Sequence, residues 1–184
     1  FTDPKVFSNY GTILKGLGKL EEAENCFRKA IALKPNFANA YNNLANTLKR
    51  LGKLEEALYS SRKAIENEPN LADFHFNLSN ILKDLDKLNE AELSIRRAIE
   101  LKPDFASAYS NLGTILNELE KFEDAEISHK KAIKLNSNCP TFYYNLGNTL
   151  RELCKLEEAE ISNRKAIELK PDFAIAYYNL ANTL

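Results

Sequence analysis

The chain has 184 residues, 44% hydrophobic and 28% charged, which suits a packed interior beneath a well-solvated surface. Its 25 basic and 26 acidic side chains leave a net charge of −1, so composition supplies no basic stripe for nucleic acid. No apolar run approaches the roughly 18 residues of a membrane span, and the start lacks the basic and apolar regions of a signal peptide. Neither nucleic acid nor membrane is expected as a partner. Cys26, Cys139 and Cys154 fit a reducing compartment, the cytoplasm, better than a disulfide framework, and none pairs closely with histidine.

One asparagine recurs at Asn9, Asn43, Asn77, Asn111, Asn145 and Asn179, each 34 residues after the last. Such a fixed period marks a tandem array of one supersecondary unit. The phase set by the prolines gives units 4–37, 38–71, 72–105, 106–139 and 140–173 and a partial unit 174–184, together one elongated domain over 1–184. The chain holds no methionine and stops inside the sixth unit, so it is expected to be a piece of a longer protein in which Tyr177, Leu180 and Leu184 have a covering helix.

Each unit predicts two helices. Apolar residues at positions 4, 7, 11 and 14, as in Tyr41, Leu44, Leu48 and Leu51, make one face of the first. A turn follows at Gly18-Lys19 and Gly52-Lys53. Asp86, Glu120 and Cys154 replace the glycine later, and those turns are expected to lean on other contacts. The invariant lysines of this turn (Lys19, Lys53, Lys87, Lys121, Lys155) read most simply as helix-terminal charges. The second helix opens on acids and closes on bases, which suits the helix dipole, and Pro35, Pro69, Pro103 or Pro171 ends it. Alanine columns at position 20 (Ala23, Ala57, Ala91, Ala125, Ala159) and position 27 (Ala30, Ala64, Ala98, Ala132, Ala166) allow the helices to approach closely.

These features together resemble the tetratricopeptide repeat over nearly the full chain: a large residue at position 4, leucine at 7, a small residue at 8 (Gly11, Ala45, Ser79, Gly113, Gly147), the two alanines and the proline. Departures are Tyr10 at position 7 and polar Ser61, His129 and Asn163 at position 24, which bring local packing into question. The resemblance implies an all-α solenoid, a right-handed superhelix with first helices lining a concave surface. The asparagine column and the Tyr-x-Asn-Leu-(Ala/Gly)-Asn pattern look most like the arm of O-linked N-acetylglucosamine transferases and similar bacterial arrays, where such a ladder is implied to hold extended client segments. The carboxylate clamp of chaperone adaptors needs cations that are absent here at positions 5 and 6.

The column at position 6 faces away from the apolar stripe. Recent duplication does not explain it, because positions 2 and 5 have diverged; bonding between units, which would only hold their spacing, remains open. A carboxamide both donates and accepts, so a ladder of them could pair with the main chain of an extended peptide. The candidate peptide-binding residues are Asn9, Asn43, Asn77, Asn111, Asn145 and Asn179. Asn46, Asn80 and Asn148 at position 9 and Phe76 and Tyr144 at position 5 join them. Lys15, Lys49, Arg50 and Lys83 early in the strip give way to Asp84, Glu118 and Glu152 later, with Arg151 an exception. A ligand acidic at one end and basic at the other would suit that gradient, as would an ordinary solvated helix face.

His75 and His129 have no repeated partner, no glycine-rich phosphate loop occurs, and paired glutamates recur in most units as helix starts. No enzyme activity, metal or cofactor is expected of this stretch. The expected function is a protein-interaction module that binds extended polypeptide. The alternatives are the substrate-recruiting arm of a larger enzyme such as a glycosyltransferase, or a scaffold that self-associates through its convex face or its ends.

Overall fold

The computed structural model describes residues 3–183; Phe1, Thr2 and Leu184, with the expectation attached to Leu184, lie outside them. The described residues form eleven α-helices and no strand: α1 (Pro4–Gly16), α2 (Leu20–Leu33), α3 (Ala38–Arg50), α4 (Leu54–Asn67), α5 (Ala72–Asp84), α6 (Leu88–Leu101), α7 (Ala106–Glu118), α8 (Phe122–Leu135), α9 (Pro140–Glu152), α10 (Leu156–Leu169) and α11 (Ala174–Ala181). The first helix of each complete pair fills positions 1 to 13 and the second 17 to 30. The chain separates into two compact units, Phe1–Leu101 with α1 to α6 and Lys102–Leu184 with α7 to α11. Within each, a helix packs on its hairpin partner, and the second helix of one pair packs on the first helix of the next.

All ten alanines of the two columns are fully buried, so side chains of one helix rest almost directly on the backbone of the other. Leucines at positions 7 and 11, such as Leu44, Leu48, Leu146 and Leu150, fill the space beside them. At position 24 burial does not follow polarity. Phe27 and Ile95 are buried, as are polar Ser61, His129 and Asn163. A Cβ on Gly11 would lie 2.9 Å from the Phe27 ring, one on Gly113 2.5 Å from His129, and one on Gly147 2.9 Å from Asn163. The small residue at position 8 is thus the socket for position 24. The polar occupants fit the socket, but Ser61 Oγ, both ring nitrogens of His129 and Asn163 Oδ1 have no hydrogen-bond partner. Burial pushes the His129 imidazole down to about 4.

The interhelix turns differ from expectation. Asp86, Glu120 and Cys154 take φ of 58°, 59° and 56°, the same left-handed conformation as Gly18 and Gly52 at 78° and 75°. The bonding is the same too. The invariant lysine's N–H reaches back to the helix, as in Lys53 N to Leu48 O at 2.9 Å and Lys155 N to Leu150 O at 2.8 Å, while the N–H before it bonds Lys49 O or Arg151 O. This pair of hydrogen bonds closes the exposed carbonyl end of the first helix, and it fixes φ whatever residue stands there. A side chain in that conformation costs about 1 kcal/mol that glycine does not incur.

The lysine side chains also do more than neutralise a helix end. Lys53 Nζ donates to Glu24 Oε2 at 2.9 Å and Lys155 Nζ to Glu126 Oε2 at 2.7 Å, each tying a turn to the preceding second helix. Burial opposes the charge of Glu24 and Glu126, yet hydrogen bonds from Lys53 and Arg28, and from Lys130 and Lys155, hold both carboxyls below their usual range. The loops between pairs carry a second clasp, with Lys34, Lys102 and Lys170 ammonium groups 5.2, 4.8 and 5.3 Å from the centroids of Phe37, Phe105 and Phe173. His75 serves the same purpose by donating from Nε2 to the Pro69 carbonyl at 2.8 Å.

Candidate functional site

The first helices turn their apolar faces to their hairpin partners, which leaves positions 2, 5, 6, 9 and 13 on a polar face. Asn9 is exposed there; Asn43, Asn77, Asn111 and Asn145 are half-buried, and Asn179 is buried. Half-burial comes from the neighbouring pair. Asn77 Nδ2 donates to Asn42 Oδ1 at 2.9 Å, and Asn145 Nδ2 donates to Ser110 Oγ at 3.1 Å. Both acceptors stand at position 5 of the preceding first helix, so the same link recurs in each compact unit. Asn43 is used from its other end, its Oδ1 accepting from Lys15 Nζ at 3.0 Å. Asn179 Nδ2 donates to Asn148 Oδ1, joining the ladder to the position 9 column.

The carboxamides of Asn43, Asn77 and Asn145 therefore each bond to a side chain of the preceding first helix. Each such bond engages one donor or one acceptor of a group that has two donors and an acceptor with two lone pairs. The carbonyl oxygens of Asn77 and Asn145 stand outside the bonds their amides make. Asn46 and Asn80 are half-buried on the same face. Tyr144 is held there by Phe173, ring centroids 5.6 Å apart and tilted 56°, and Phe76 is half-buried at the equivalent place.

The strip's charges are partly matched within the first unit. Lys49 Nζ lies 3.1 Å from Asp84 Oδ2, and Arg50 Nη1 donates to the Lys15 carbonyl at 3.0 Å. Sequence reasoning missed Asn42 and Ser110 as partners of the ladder, because position 5 varies in type and its shared geometry appears only when pairs stack. It also missed Asn117, which lines a pocket of about 500 Å³ on this face of the second unit. Among the described residues no group of three or more histidine, cysteine, aspartate or glutamate side chains is placed to hold a metal. No helix among them is long and apolar enough to cross a membrane.

A tetratricopeptide repeat model matches residues 38–71, 72–105 and 140–173, in phase with the proline-bounded units. Two related models match 11–52 and 105–136. The chain belongs to the tetratricopeptide repeat family. Tetratricopeptide repeats form protein-interaction modules, and the chain is a module of that kind. No curated protein matches it. Among solved structures it is similar to YrrB, a TPR protein with an unusual peptide-binding site, at 24% identity and a TM-score of 0.78, covering 100% of this chain and 93% of that one. It is also similar to TTC0263, a thermophilic TPR protein of Thermus thermophilus, at 22% identity and TM-score 0.79 over 98% of both chains. PilF of Pseudomonas aeruginosa matches at 20% identity and TM-score 0.82, over 98% of this chain and 88% of that one. At these identities the likeness speaks for the repeat fold.

Proposed function

We propose that the polar face of the first helices holds extended polypeptide by its main chain, and that this stretch does no chemistry of its own. The observation that carries the reading is the use made of Asn77 and Asn145. Each engages one amide N–H in the link to the preceding first helix, which orients the carboxamide and leaves its carbonyl and second N–H to pair with a peptide unit. A pre-oriented group loses less entropy on binding than a free one. Repeating the contact along a face builds affinity from individually weak bonds, and the main chain rather than any one side chain is recognised. The similarity to YrrB, described as having an unusual peptide-binding site, agrees with a peptide ligand. Three free cysteines agree with a cytoplasmic setting.

The test is binding to an array of unstructured peptides, run beside a variant with Asn43, Asn77, Asn111 and Asn145 all changed to alanine and checked by circular dichroism. Hydrogen bonds of about 0.5–1.5 kcal/mol each predict a loss of roughly tenfold or more across four positions. Equal binding by both proteins, or no binding by either with earlier melting of the variant, would assign the asparagines to spacing alone.

A second reading is favoured by one observation on the opposite face. Position 22 of the second helices presents Tyr59, Leu93, Ile127 and Ile161, exposed by 62%, 72%, 67% and 68%. An apolar residue repeated at one outward position suits an assembly scaffold. Light scattering separates the two: Leu93→Lys and Ile127→Lys would lower the measured mass if this column joins copies, and would leave it unchanged if the inner face is the working surface.

A further inference from the structure

On the polar face of the first unit, position 12 of one first helix pairs with position 13 of the next: Lys49 Nζ is 3.1 Å from Asp84 Oδ2. Two repeats later the carboxylate is kept, as Glu152, but the lysine is replaced by Asn117. The shorter side chain is drawn aside. Asn117 Nδ2 donates to Thr149 Oγ1 at 2.8 Å, and Asn117 Oδ1 is buried without a hydrogen-bond partner. Glu152 meets its chain neighbour Arg151, exposed and at 3.4 Å, a longer contact than that of Asp84 with Lys49.

The pocket of about 500 Å³ on this face has Asn117 and Glu152 in its wall, together with Glu120, Tyr144, Asn148 and Asn179. Phe173 braces the Tyr144 ring, and the bond from Asn179 to Asn148 fixes a second part of the wall. The wall holds the carboxylates of Glu120 and Glu152 and a single guanidinium, that of Arg151. An orphaned carbonyl oxygen, an excess of carboxylates and a held aromatic ring all favour the same ligand group: a cation that donates hydrogen bonds, on an apolar stem. The Lys49 and Asp84 pair shows that the repeat geometry accepts an ammonium beside this carboxylate.

We infer that this pocket takes the side chain of a lysine or arginine carried by the bound polypeptide, standing where Lys49 stands in the first unit. The charged end pairs with Glu152 and supplies the donor that Asn117 Oδ1 lacks, and the stem lies along Tyr144. The inference rests on the peptide-binding reading above and adds to it a preference for a basic residue at one place along the ligand.

Fluorescence anisotropy with short labelled peptides of serine, threonine and alanine, identical except for one central Lys, Arg or Gln, tests it on the unmodified chain. The Lys and Arg peptides are expected to bind about fivefold tighter than the Gln peptide at low salt, the scale of a partly exposed ion pair. Asn117→Lys, which rebuilds the internal pair, should bring the Lys and Arg peptides down to the level of the Gln peptide. Glu152→Gln at an exposed position should do the same. If all three peptides bind the unmodified chain equally, the pocket inference is overturned and the ladder reading stands. If the preference survives both substitutions, the cation sits elsewhere and the inference is equally overturned. If no peptide binds, the ladder reading falls and takes the inference with it.

Discussion

The two compact units solve one packing problem with different chemistry. Where the second helix crosses the small residue of the first, the first unit places Phe27, Ser61 and Ile95, and the second places His129 and Asn163. The sockets are alike, with Gly11 against Phe27 and Gly113 against His129 in similarly close contact. The comparison teaches that burial against the small residue, and not polarity, is what the occupants of this position share. The flanking alanines and leucines bury enough apolar surface that a wrong polarity is tolerated, at about 1–3 kcal/mol for a buried polar group left unpaired.

The largest break in that comparison is Phe27→Ala, which leaves a ring-sized cavity against Gly11 and should cost about 3–5 kcal/mol in urea unfolding. His129→Ala should cost clearly less, because it removes two orphaned nitrogens along with the ring. Acid should act next, and mainly on the second unit. The His129 imidazole is held at about 4 against an ordinary 6.5, so the unfolded chain takes up a proton first. Its stability is fully present above 6.5 and falls by about 1.4 kcal/mol per pH unit as pH drops toward 4. Urea midpoints at pH 7 and pH 5 should show this loss in the parent and lack it in His129→Phe, the window lying above that in which Glu24 and Glu126 protonate.

At pH 7 the same His129→Phe substitution, copying the Gly11 and Phe27 pair, should raise stability by about 1–3 kcal/mol. A lower midpoint would mean that the two sockets differ in shape. Smallest is Cys154→Gly, expected to stabilise by about 1 kcal/mol by relieving a left-handed side chain at φ 56°; Asp86→Gly in the first unit should match it.

Much of this was legible in the residues because repetition states every signal five times over. The proline phase, the alanine columns and the apolar stripe fixed both helices of each pair, including Asn43 and its relatives on a polar face. What stayed hidden depended on backbone angle or on neighbours. Asp86, Glu120 and Cys154 carry no mark of positive φ, since the hydrogen bonds of the turn impose it. His129 reads as an odd polar residue until Gly113 is seen beneath it. At the ladder, the asparagine column was visible but its acceptors Asn42 and Ser110 were not, because they share a position and not a residue type. The Asn117 pocket emerges only by contrast with Lys49 and Asp84, which meet only when successive first helices stack.

The central claim is that ladder carboxamides grip a peptide main chain, and side-chain NMR of the chain labelled with ¹⁵N-asparagine tests it most directly. On adding an unstructured peptide, the account predicts shifts in the NH₂ signals of Asn77, Asn111 and Asn145, with those of exposed Asn25 and Asn89 on second helices unmoved. Shifts confined to Asn25 and Asn89, with the ladder silent, would contradict it and move the working surface to the second helices.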